Sequence, residues 1–183
     1  MPRAAWQLLP MDKYRAHNWH AFESIEQRSP YASIHTSLSC PFACSFCCIA
    51  APFGGSGKGY RMWSPKTVGE EIEFLVDAYG VRHLKFVDEM FVLNKAHVLG
   101  VCDEIDKRGL GEHLNIWAYA RVDTVRDDQL DRLRRAGFRW LGIGIESASE
   151  QVRDGVEKGK FGNQDILDAV NRVRMAGMYV AAN

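Results

Sequence analysis

Two hydrophobic periods follow one another along most of the chain. From Tyr31 to Ser39, Ile34, Thr36 and Leu38 share one parity while Ser33, His35, Ser37 and Ser39 share the other, which predicts a strand. Ser64-Pro65 then supplies an N-cap and a first-turn proline, and Val68, Ile72, Leu75, Val76 and Tyr79 form one helical stripe that Gly80 ends. The alternation repeats. His83 to Asp88 is a strand, and Asn94 caps a helix with Val98, Val101, Cys102 and Ile105 on one face, ended by Gly109. Asn115 to Val122 and Trp140 to Glu146 are further strands around a helix from Asp127 to Ala136. Helical stretches from about Ser149 and about Asn163 lead to a last extended piece, Tyr179 to Asn183. Strands alternating with helices predict an α/β fold of parallel units with right-handed crossovers, a barrel or an open part of one.

A length of 183 residues, 46% of them hydrophobic and 25% charged, predicts one domain with a real core and argues against disorder. The 23 basic and 23 acidic side chains cancel, so no long-range field draws the chain toward nucleic acid or an anionic membrane. No apolar run approaches the roughly 20 residues a membrane span needs. The first ten residues, broken by Pro2 and Pro10, do not form the apolar stretch of a secretory signal, so a cytoplasmic location is expected.

Four of the five cysteines, Cys40, Cys44, Cys47 and Cys48, lie within nine residues, and Cys102 stands apart. An odd, clustered set argues against a disulfide framework and for a soft-metal site. Zinc modules bring two separated ligand pairs, and no second pair exists here; a redox pair at Cys44 and Cys47 leaves Cys40 idle. The remaining reading is that Cys40, Cys44 and Cys47 hold three irons of a [4Fe-4S] cluster and leave the fourth iron open to a chelating substrate. Cys48 reads as a small buried residue beside it.

The string Cys40-Pro41-Phe42-Ala43-Cys44-Ser45-Phe46-Cys47 resembles the signature of the radical S-adenosylmethionine (radical SAM) enzymes. That resemblance implies a partial barrel of six β/α units, of which about four and a half are present: 1–30 is linker-like, and 31–183 is a core domain truncated at its C-terminal end. It also implies a cluster that binds S-adenosylmethionine and reductively cleaves it to methionine and a 5′-deoxyadenosyl radical. Phe46 would lie near the adenine. Tyr60-Arg61, Phe86-Val87-Asp88-Glu89, Ala120-Arg121-Val122-Asp123 and Gly142-Ile143-Gly144-Ile145-Glu146-Ser147 resemble the branch whose barrel follows a cobalamin-binding domain. Cobalamin and methyl transfer are thereby implied for a longer parent. So are a small-molecule or biosynthetic-intermediate substrate and a low-potential electron donor such as flavodoxin or ferredoxin. One departure is Leu38-Ser39, where the branch often has Arg-Gly. The alternative is a non-catalytic iron–sulfur or metal-binding module.

Working residues of parallel β/α folds sit at the carboxyl ends of strands. Asp88 and Glu89 occupy the place of the family's motif for the cofactor's amino group, and alternation lets only one of them point inward. Arg121 would pair with the methionine carboxylate or form a salt bridge to Asp123 or Glu146. Gly142, Gly144 and Glu146 share a parity, so two glycines clear space beneath a carboxylate that would accept hydrogen bonds from ribose hydroxyls or the amino group. Trp117 and Tyr119 line the substrate space or pack the core. His17 and His20 read as a surface segment, Arg132, Arg134 and Arg135 as a solvated helix face, and Gly54 to Gly59 as a mobile loop that lacks the phosphate-loop pattern.

Overall fold

The computed structural model describes residues 3–22, 25–53, 59–156 and 161–183; most of the glycine-rich run, residues 54–58, lies outside them. The elements are β1 Tyr31–Ile34, β2 Ser37–Leu38, α1 Ala50–Phe53, β3 Arg61–Met62, α2 Pro65–Tyr79, β4 His83–Phe86, α3 Lys95–Lys107, β5 Asn115–Arg121, α4 Asp127–Arg135, β6 Phe138–Gly144, α5 Glu150–Gly155, α6 Asn163–Met175 and β7 Tyr179–Ala182. Strands β1, β4, β5, β6 and β7 form one sheet in that order, parallel throughout, and β2 pairs with β3 antiparallel. The large sheet stays open, with β1 at one edge and β7 at the other. Four β/α units and an opening strand are present, as the periodicity predicts.

Local chemistry sets the boundaries. The Ser64 hydroxyl accepts from the Thr67 amide at 3.1 Å and starts α2, and the Asn94 side chain accepts from the His97 amide at 3.0 Å and starts α3. Gly80 ends α2 at φ 64°, a conformation that costs a side-chain-bearing residue about 1 kcal/mol or more. The helices cover one face of the sheet. There Val68, Ile72 and Leu75 of α2, Val98, Val101 and Ile105 of α3, and Leu133 of α4 bury against Leu84, Phe86, Ile116, Leu141 and Ile143. Period-two alternation sends His83, Lys85, Trp117, Tyr119, Arg121 and Trp140 to the opposite, inner face. Trp117 stacks on Trp140 at 5.3 Å, and Trp140 on Tyr179 at 4.7 Å.

The segment before β1 packs on this core. Trp6 and Met11 are buried, and the Trp6 indole donates to Glu71 of α2. His20, expected at the surface, is only 3% exposed: its Nε2 lies 2.9 Å from the Asn115 carbonyl, and Asn115 Nδ2 donates back to the His20 carbonyl at 2.8 Å. The segment is thus fastened to the amino-terminal edge of β5. The arginines of α4 also depart from expectation. Arg132 reaches Asp103 and Asp106 of α3, and Arg134 donates to the Gly177 carbonyl at 2.9 Å, so two of the three bind neighbouring elements.

Candidate cofactor site at the carboxyl edge of the sheet

The strand expected to run unbroken from Tyr31 to Ser39 is two strands in two sheets. The break has a cause in Asp88, which is 1% exposed just past β4. Its carboxylate accepts from the Thr36 amide at 2.6 Å, from the Ser37 hydroxyl at 2.9 Å and from the Thr36 hydroxyl. Thr36 Oγ1 also lies 3.0 Å from His97 Nε2 on α3. Burial lowers the pKa of His97, so the neutral ring donates its Nε2 proton while the hydroxyl gives its own to Asp88. Asp88 therefore swings the chain out of the sheet toward the cysteine loop. Glu89 is the exposed member of the pair and borders a cavity of about 330 Å³ with Lys85, Val87 and Tyr119.

The loop opens at Ser39, whose φ of 68° lies in the left-handed region. All five cysteines are free thiols. Cys40 is buried and Cys44 half-buried, while Cys47 and Cys48 are exposed. The exposure of Cys48 corrects the expectation that it is buried. Burial pushes the Cys40 thiol up, its Phe42 hydrogen bond and Arg121 oppose this, and the neighbouring Cys44 and Cys47 thiols raise it further. Cys44 and Cys47 thus lie near enough to act on Cys40. Tyr60 is close enough to Cys40 and Asp88 for both to raise its pKa, after burial as the main cause. Cys102, in the helical core, is pushed up to about 12 by burial and stays out of this chemistry.

Arg121 is 3% exposed and makes the ion pair with Asp123, in bidentate form with both distances 2.9 Å. Its guanidinium carbon sits 3.7 Å from the Phe42 ring centroid, and Nη1 lies 3.7 Å from Cys44 Sγ. One side chain at the end of β5 thus grips two residues of the cysteine loop. The loop is tied again where the Ser45 amide donates to the Val156 carbonyl just past α5, at 3.1 Å. Phe46 is 52% exposed on the same loop.

Beyond β6, Glu146 is exposed and holds φ 66°, its amide and that of Ile145 both donating to the Asn183 carbonyl at 2.7 Å. A non-glycine residue kept there marks a position its surroundings over-determine. The space over Gly142 is not empty: a Cβ there would meet Tyr119 at 2.9 Å and the Trp117 indole nitrogen at 3.3 Å. The glycine admits the aromatic rings of β5. Phe42, Thr36, His97 and Lys85 are the residues that sequence reasoning passed over, and only Lys85 carried a readable signal, its inward parity with His83.

Among the described residues no three His, Cys, Asp or Glu side chains are arranged to hold a single metal ion. A cuboidal cluster asks for something else, since its thiolates attach to separate corners and need not converge on one point. Three free thiols on one short loop, two of them near enough to act on the third, and a buried cation against Cys44 fit that donor set.

Residues 34–183 match the model of the Radical SAM superfamily. An uncharacterized methyltransferase of Pyrococcus horikoshii is 32% identical over 98% of the chain, and an anaerobic magnesium-protoporphyrin IX monomethyl ester cyclase of Cereibacter sphaeroides is 33% identical over 75%. The chain spans 36% and 22% of the length of these two relatives. Among solved structures, the radical S-adenosylmethionine methyltransferase TsrM of Kitasatospora setae superposes with a TM-score of 0.72 at 24% identity, over 83% of this chain and 29% of that one. The cobalamin-dependent radical enzyme OxsB gives 0.67 at 20% identity, over 88% and 24%. With its parallel sheet, its cysteine loop and a family match over most of its length, the chain belongs to the Radical SAM superfamily.

Proposed function

We propose that this chain is the radical-generating core of a larger enzyme. In it Cys40, Cys44 and Cys47 hold a [4Fe-4S] cluster whose open iron takes S-adenosylmethionine. When bound, and given one electron by the reduced cluster, that pair would release methionine and supply a 5′-deoxyadenosyl radical to abstract hydrogen from a substrate C–H bond. The protein's part is positioning and shielding. Phe46 lies beside the adenine, Glu89 accepts from the cofactor's amino group, and Glu146 accepts from the ribose hydroxyls. Asp88 and Arg121 serve the same site from behind: Asp88 sets the path of the chain into the loop, and Arg121 holds the loop against β5. The inner-face aromatics keep the lumen dry.

The observation that carries this reading is the arrangement around Arg121, where a buried guanidinium touches both the ring of Phe42 and the sulfur of Cys44. For the parent protein we infer methyl transfer with cobalamin, a small-molecule substrate, a low-potential donor such as flavodoxin or ferredoxin, and a cytoplasmic location. The methyl-transfer and cobalamin parts of this reading lean on the methyltransferase relative and on the TsrM structure with cobalamin and a [4Fe-4S] cluster bound. No helix among the described residues is long and apolar enough to cross a membrane.

Anaerobic reconstitution with iron and sulfide, followed by dithionite and S-adenosylmethionine, tests the core of the proposal. The expected product is 5′-deoxyadenosine, lost when any one of Cys40, Cys44 or Cys47 is replaced by Ala. A cluster that assembles and yields none would favour a non-catalytic module.

A further inference from the structure

Strand β1 is an edge strand, and a cavity of about 390 Å³ runs along its free side. Trp6, Ser33, Ile34, His35, Trp63 and Val68 line it. Three consecutive residues of an extended chain send their side chains to alternate faces, so the feature they share is the edge itself. The direction of the main chain follows from the ladder. The Ile34 carbonyl accepts from the Val87 amide at 2.9 Å on the β4 side, and in a trans peptide the next N–H points the opposite way. The His35 N–H therefore faces the cavity. Ser33 lies in β1 between Ala32 and Ile34, whose main-chain groups serve β4, so its carbonyl faces the same side as the His35 N–H. No strand pairs there, and among the described residues no loop or side chain bonds either group.

These two groups form a set. The carbonyl of one residue and the N–H of the residue two further on are what a neighbouring parallel strand engages with the N–H and C=O of a single residue. A ligand that carries a donor and an acceptor side by side can take that place. The walls narrow the class. Trp6 is 8% exposed, and the Trp63 amide donates to the Thr36 carbonyl at 2.9 Å, so two different segments each fix an indole-bearing residue at the cavity. With Ile34 and Val68 they make much of the wall aromatic or apolar, which suits a ring. The carboxylates that border the cavity are already paired: Glu71 with Arg3 at 3.4 Å and with the Trp6 indole, Glu70 with Lys66 at 3.7 Å. The site thus favours an uncharged ligand. Its volume falls at the lower end of small-molecule pockets.

We propose that the cavity beside β1 binds an uncharged planar heterocycle through a lactam edge. The ligand N–H donates to the Ser33 carbonyl, the ligand C=O accepts from the His35 N–H, and the ring lies against Trp6 and Trp63. Oxo-substituted pyrimidines and purines carry such an edge. Among the described residues the lining takes nothing from the cysteine loop or from β5 and β6, so this is a second site, and it does not rest on the reaction proposed above.

Isoquinolin-1-one, a fused ring with one lactam edge, is a suitable probe. It is titrated into the whole chain as isolated, with the assigned backbone amides followed by proton–nitrogen correlation spectra. The His35 amide proton should move downfield and saturate. The N-methyl derivative, which lacks the donor, should bind about tenfold more weakly or worse. Trp63→Ala should lower the affinity for the lactam about tenfold, and Trp63→Phe, which keeps a ring, should stay within about threefold. N-acetylalanine N-methylamide offers the same donor and acceptor without a ring and should give no saturable shift over the same range. The site is refuted if the lactam leaves the His35 amide where it was, if the N-methyl derivative binds equally well, or if Trp63→Ala binds with the parental affinity. A dipeptide that matches the lactam would overturn the proposal too, because the edge would then add a strand and show no selection for a ring.

Discussion

Arg121 Nη1 lies 3.7 Å from Cys44 Sγ while the other edge of the same guanidinium is locked to Asp123. The geometry leaves the positive charge facing sulfur and gives it little freedom to leave. A cation and an N–H donor beside a metal thiolate favour the more electron-rich state, because hydrogen bonds to sulfur and local charge set cluster potentials.

Replacing Arg121 by Met should therefore lower the midpoint potential of the reconstituted cluster. The expected shift is about 60 mV, the one-electron equivalent of about 1.4 kcal/mol, the low end of what a hydrogen bond to a charged group contributes. A redox titration followed by electron paramagnetic resonance measures it. Full iron content with an unchanged potential would mean that the arginine only braces the loop.

Asp88 and Glu89 are adjacent in sequence and opposite in burial. Asp88→Ala strands the Thr36 amide and two hydroxyls in a buried site and should cost about 3 kcal/mol in urea unfolding. Glu89→Ala, at an exposed position, should stay within about 0.5 kcal/mol. Equal losses at the two positions would contradict the network around Thr36.

Ser39→Gly should stabilise the chain. Relief of the left-handed conformation contributes about 1–2 kcal/mol, and the extra freedom of glycine in the unfolded chain offsets about 0.5–1 of it. A net gain near 0.5–1 kcal/mol is expected in thermal unfolding. A loss would indicate that the Ser39 side chain contributes more than its backbone costs.

Acid should loosen the amino-terminal segment. Burial lowers the pKa of His20 from 6.5 to about 4, against the opposing hydrogen bond from its ring to Asn115. The unfolded chain therefore binds more protons between these values, so the contribution is whole above pH 6.5 and is lost as pH falls toward 4. Its ceiling is roughly 3 kcal/mol. His83 and His97 shift in the same direction, also through burial, so His20→Gln should flatten the decline in melting temperature without abolishing it. A variant that melts with the parental pH profile would show that His20 is not the group responsible.

The alternation of elements was legible because period two and period 3.6 are separated here by unambiguous punctuation, such as Ser64-Pro65 and Gly80. The cysteine spacing was equally plain. What could not be read was the break at Thr36, because its cause is a carboxylate 52 residues further on. The role of Arg121 was hidden for the same reason: Asp123 is near it in sequence, but Phe42 and Cys44 are not. Gly142 illustrates a subtler case. β6 ends at Gly144, so alternation does not carry to Glu146, and the room Gly142 leaves is taken by rings from the neighbouring strand, a packing choice that a single strand does not encode.

The hydrogen bond from Ser45 to Val156 has a consequence for assembly. It joins the cysteine loop proposed to receive iron to the end of α5, so a rearrangement of one pulls on the other. If the loop takes up a cluster as proposed, metallation should register far from the thiols, as slowed amide exchange around α5.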